Sequence, residues 1–136
     1  MMIKSYEELE TTVRENLEKS FSLSEFFLEA VRQIELRLPP APDDYRFDAR
    51  YYWQTPGGSG YSGQILRRKG GAWIGEKDGR RYPSIADYIS CWWEPFRIAR
   101  GMVEAYFDHL LNTGVDGVFG RGGADNYRLA KWWVKP

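Results

Sequence analysis

Little in this sequence supports covalent chemistry. It holds one cysteine, Cys91, and one histidine, His109. A lone thiol has no partner in its own chain for a disulfide, which fits a reducing compartment. One histidine and one cysteine fall short of a zinc ligand set. His109 lies beside Asp108 with no serine or cysteine motif pointing to it, so it does not read as an acid–base group. Cys91 has no base nearby in sequence and reads as a buried structural thiol. Asp116 and Asp125 lack the D-x-D-x-D-G spacing of a calcium loop. The run Thr55-Pro56-Gly57-Gly58-Ser59-Gly60 is not followed by the Gly-Lys-Ser/Thr of a phosphate loop. No apolar run is long enough to cross a bilayer, and no basic-then-apolar leader opens the chain. The expectation is a soluble cytoplasmic protein that uses no metal and no cofactor.

What is abundant is aromatic. Phe, Trp and Tyr make up 16% of the 136 residues, with six tryptophans, which is ample for one self-sufficient core in a single domain. Net charge is zero but unevenly placed. Residues 1–44 hold ten acids and five bases, 45–82 three acids and eight bases, and 83–136 six of each. An acidic helical region, a basic β region and a C-terminal helical region follow from this division. Such asymmetry bears on partners and steering more than on fold.

Local signals place the elements. Ser5-Tyr6-Glu7-Glu8 is a capping box, and Tyr6, Leu9, Val13 and Leu17 recur at helical spacing over about 6–18. Ser22-Leu23-Ser24-Glu25 is a second box, with Phe21 and Phe26 spaced as a hydrophobic staple. The stripe Leu23, Phe26, Phe27, Ala30, Val31, Ile34, Leu38 follows, stopped by Pro39-Pro40-Ala41-Pro42. From Asp44 to Gln54 the pattern changes to period two. Tyr45, Phe47, Ala49, Tyr51 and Trp53 fall on one face; Arg46, Asp48, Arg50, Tyr52 and Gln54 fall on the other. Strand-like runs at Tyr61–Arg68 and Ala72–Glu76 and a stub at Arg81–Tyr82 are joined by glycine turns, Lys77-Asp78-Gly79-Arg80 among them. Ser84 caps a helix whose stripe Ile85, Tyr88, Trp92, Phe96, Ala99, Val103, Tyr106, Leu110 keeps phase across Pro95. That predicts one long helix kinked there, or two abutting ones. A glycine-rich loop over 114–123 and a short helix over 126–133 complete an α+β two-layer domain. Its three- to four-stranded antiparallel meander is covered on one face by the N-terminal helices and the long helix.

The basic sheet is the functional lead. Arg46, Arg50, Arg67, Arg68, Lys69, Lys77, Arg80 and Arg81 are placed to meet phosphates, and Tyr52, Tyr61 and Trp73, if exposed, to stack on bases. In the plainer reading the aromatic face is core and the arginines are ordinary surface. The expected function is a small non-enzymatic binding protein acting on nucleic acid or on a nucleic-acid-handling protein. An inhibitor of such a machine, of phage or mobile-element type, is its specific form. An alternative is a small enzyme acting on a sugar or nucleotide, with a pocket near the 114–123 loop and Asp116, Glu94 or His109 as acid or base. Another is a self-associating structural protein with Trp93, Trp132 and Trp133 at its interface. Trp93, Arg121 and Trp132 are the candidate interface residues for protein partners or for a second copy.

Overall fold

The computed structural model describes residues 2–17, 19–92, 94–107 and 132, and for 51–54 the backbone alone. Two helices open the fold, α1 (Tyr6–Asn16) and α2 (Leu23–Arg37). Both begin where their caps predict. The Ser5 hydroxyl accepts the Glu8 amide, and Glu8 Oε2 reaches back to the Lys4 amide at 3.1 Å. At Ser22 both halves of the capping box form, and the Phe21 and Phe26 rings stack at 6.3 Å. The stripes are largely buried: Leu9, Val13, Phe26, Ala30, Val31 and Ile34 are core and Leu17 and Phe27 are half-buried, whereas Tyr6 is 48% and Leu23 66% exposed.

Six strands follow: β1 (Arg46–Asp48), β2 (Tyr51–Thr55), β3 (Gly58–Ser62), β4 (Ile65–Lys69), β5 (Ala72–Gly75) and β6 (Arg81–Tyr82). Four form an antiparallel sheet in the order β1-β4-β5-β6, and β2 and β3 form a two-stranded ribbon. The expected first strand is thus divided. Its pairing is nevertheless continuous: Asp48 faces Ile65 below the division, the Ala49 amide donates to the Gln64 carbonyl at 3.0 Å, and Tyr51 faces Ser62 above it. The bend is built on Gly63, which has φ +96°, and a Cβ there would collide with the Ala49 carbonyl oxygen. Gly63→Ala is therefore expected to destabilise the protein by about 2 kcal/mol through backbone strain. A urea midpoint equal to that of the parent would remove this account of the bend.

The C-terminal half departs from one long helix. α3 (Ile85–Ser90) and α4 (Pro95–Ala105) are separate, and Pro95 opens α4 instead of kinking a continuous helix. Proline disfavours the helical conformation for the residue before it, and Glu94 accordingly takes φ −125°, ψ 57°. The apolar stripe stays in phase across the break because both helices pack on the same core. α2 lies against α4, where Phe27 meets Phe96 edge-on at 5.6 Å. α3 reaches the sheet through Tyr88, whose ring meets Tyr82 at 4.9 Å. Phe47, Leu66, Trp73 and Tyr82 on the covered sheet face join the helical residues in one cluster. The Tyr106 hydroxyl donates to the Ile3 carbonyl at 2.8 Å, tying the start of the chain to the end of α4. Among the described residues no helix is long and apolar enough to cross a membrane. The glycine-rich loop and the short last helix lie outside the described residues, apart from Trp132.

Candidate nucleic-acid interface

Strand register decides which basic residues share a face. Arg46 faces Arg67, Arg67 faces Ile74, and Ile74 faces Arg81. Neighbouring strands lie about 4.8 Å apart, so this row crosses the sheet in roughly 14 Å. It stands on the face away from the helices, and Lys69, two residues beyond Arg67, shares that side. Arg46, Arg67, Lys69 and Arg81 are all exposed. One acid lies between the first two arginines. Arg46 grips Glu76 through Nε and Nη2 at 3.0 and 3.1 Å, and Arg67 Nη2 reaches it at 3.4 Å. The Arg46 guanidinium in particular holds the Glu76 carboxyl below the usual range. The face thus already binds one carboxylate with a fork of guanidinium donors, the geometry that suits phosphate equally well.

The other basic residues frame this row. Arg50 stands at the ribbon's base, clamped on Asp48 at 2.9 and 2.8 Å. That contact holds the Asp48 carboxyl below its ordinary value. Lys77 and Arg80 are exposed on the turn between β5 and β6. Gln64 and Asp78 pin that turn. The Gln64 Oε1 accepts the Lys77 amide at 2.9 Å, and Asp78 Oδ2 accepts the Tyr82 hydroxyl at 2.6 Å and the Gln64 amide at 2.8 Å. Burial and the Asp78 carboxylate push the Tyr82 phenol up to about 12. Tyr61 is 70% exposed on the ribbon. Tyr52 lies directly opposite it in the register, its side chain outside the described residues.

Four expectations are corrected. Trp73 is not an exposed stacking residue. Its backbone pairs with Tyr82 and Arg68 on the covered face, so the indole is buried against Phe47 and Tyr45 and donates to Glu35 Oε2 at 3.3 Å. Arg68, of the same parity, leaves the open row and lies over the Trp73 ring at 5.2 Å. Trp132, expected at an interface, is not on the surface. It is fully buried, donates to the Met102 carbonyl at 3.1 Å and packs near Phe47 and Tyr106. Cys91, expected to be buried, is exposed, with its thiol 3.4 Å from the Asp87 carbonyl. Trp93 and Arg121 lie outside the described residues. So do Asp116 and His109, two of the three acid–base candidates. The third, Glu94, precedes α4 and pairs with Arg97 at 3.7 Å.

One group escaped the reading of the sequence. Glu35 sits between α2, β5 and α3, taking the Ile85 amide at 2.9 and 3.1 Å besides the Trp73 indole. Burial pushes its carboxyl up from 4.5 to about 7, against the pull of the Ile85 amide, the indole, the Ala86 amide and the Arg68 charge. It lines a groove of about 310 Å³ with Arg32, Leu36, Pro40, Arg68 and Pro83. Its spacing from Val31 and Leu38, four before and three after, was the available signal.

In comparisons with protein-family models, curated proteins and solved structures, none matches this chain.

Proposed function

We propose that the protein is a small binding module without a catalytic role, and that its open sheet face takes the phosphate backbone of a nucleic acid. The row Arg46, Arg67, Arg81 carries this reading. Three guanidiniums stand on three strands of one sheet, on the face that the described helices leave free. Lys69, Lys77 and Arg80 extend the positive field around it, which favours capture of a polyanion. Phosphate contacts of this kind give affinity and register without sequence preference. A cytoplasmic setting suits this partner and agrees with an exposed, unpaired Cys91.

Binding of labelled oligonucleotides between about 50 and about 200 mM salt tests the proposal, because each phosphate neutralised on a single strand contributes about 0.7 to the salt slope. The parent is expected to bind with affinity that falls steeply as salt rises. Replacing Arg46, Arg67 and Arg81 together by Ala should reduce the slope by about 2 and weaken binding roughly tenfold to a hundredfold at low salt. All three side chains are exposed, so the variant should keep its fold. Unchanged binding would remove the sheet face from the interface. A partner retained after nuclease treatment and lost with the triple variant would instead identify an acidic protein surface as the occupant.

A further inference from the structure

We infer that the β2–β3 ribbon is the base-contacting arm of this interface, with Tyr61 stacking on unpaired bases of a single strand whose phosphates lie on the sheet arginines. The inference rests on the phosphate-binding reading of the sheet and names its substrate class. With Trp73 turned inward, the open-face positions of the four strands carry arginine, lysine, aspartate, alanine and isoleucine, and none is aromatic. Any stacking on bases therefore falls to residues outside this sheet.

The ribbon has the matching composition. From Tyr51 to Leu66 the chain holds no Asp, Glu, Lys or Arg, while Arg50 precedes this run and the open-face residues Arg67 and Lys69 follow it. Basic and uncharged polar residues are thus segregated along one continuous pair of strands. Alternation places Ser59 and Tyr61 on one side of the ribbon, and the register sets them opposite Gln54 and Tyr52. Tyr61 and Ser59 are exposed on that side. A phenol 70% exposed presents a ring face that any unpaired base can cover, whereas a base inside a duplex offers none. The bend at Gly63 joins the arm to the sheet.

The test compares a thymidine oligonucleotide, an abasic strand of equal length and a duplex, each against the parent, Tyr61→Ala, Tyr61→Phe and the triple arginine variant. The parent should prefer the thymidine strand to the duplex. Tyr61→Ala should weaken binding of the thymidine strand by about 5- to 100-fold, leave the abasic strand unaffected and leave the salt slope unchanged. Tyr61→Phe should keep most of the affinity. Equal losses on thymidine and abasic strands, no loss on either, or a duplex bound as tightly as the single strand would overturn the arm's role. In those cases the sheet reading stands as long as the triple variant still lowers the slope. If none of the three nucleic acids binds the parent, both readings fall together.

Discussion

Trp73→Ala is expected to lower the stability of the protein by about 4 kcal/mol and its Tm by roughly 10 °C or more. The indole is 0% exposed, meets Phe47 at 5.7 Å and Tyr45 at 6.3 Å, and carries Arg68 over its face at 5.2 Å. Truncation leaves a large void between sheet and helices, and it removes one of the donors that solvate the buried Glu35 carboxyl. Trp73→Phe keeps much of the ring but no N–H. It should cost about half as much, so the two variants together divide packing from hydrogen bonding. Urea and thermal unfolding followed by circular dichroism would measure both. A loss below about 1 kcal/mol for the alanine variant would mean that the indole faces solvent. The covered and open faces of the sheet would then exchange places, and the arginine row would lose its standing as the working surface.

That single indole marks the limit of what the sequence discloses. Helix starts are local events, so Ser5, Ser22 and Ser84 could be read directly, as could the Phe21–Phe26 staple. The face of the first strand was also legible, because Arg46, Phe47 and Asp48 alternate cleanly. Ala72-Trp73-Ile74-Gly75 has no polar alternation, so nothing in it says which way Trp73 points; pairing with Arg68 and Tyr82 settles that. Arg67 and Arg68 look equivalent within a basic run, yet they belong to opposite faces. Trp132 enters the core by bonding a carbonyl 30 positions away, and Glu35 gains its environment from groups 38 and 50 positions on. Long-range partners of this kind leave no periodicity. The break before Pro95 was marked by the proline itself, but an apolar stripe in phase on both sides could not distinguish a kink from two helices. The division of the long hairpin at Gly63 was equally hidden, since pairing continues through the bend and only the backbone path changes.

Glu35 gives the stability of the protein an unusual dependence on pH. The folded chain holds the carboxyl proton up to about pH 7, whereas a free side chain releases it near pH 4.5. Between these values the folded state binds more protons than the unfolded state, so stability falls as pH rises, and the loss is complete above about pH 7. A shift of this size corresponds to about 3 kcal/mol. The depressed carboxyls of Asp48, Asp78 and Glu76 act in the opposite sense. Their contribution is present above their unfolded values and disappears as pH falls through the lower folded ones. Stability should therefore peak near pH 5 and decline towards neutrality. Glu35→Gln replaces the acid with a neutral group of the same shape that still accepts the Ile85 amide. It should match the parent near pH 5, exceed it by a few kcal/mol above pH 7 and abolish most of the decline between them. Denaturant unfolding of both proteins across that interval measures the difference. Parallel curves would show that Glu35 keeps its ordinary acidity and that water reaches the junction of α2, β5 and α3; a decline confined to the parent would establish Glu35 as a buried acid at that junction, neutral below about pH 7.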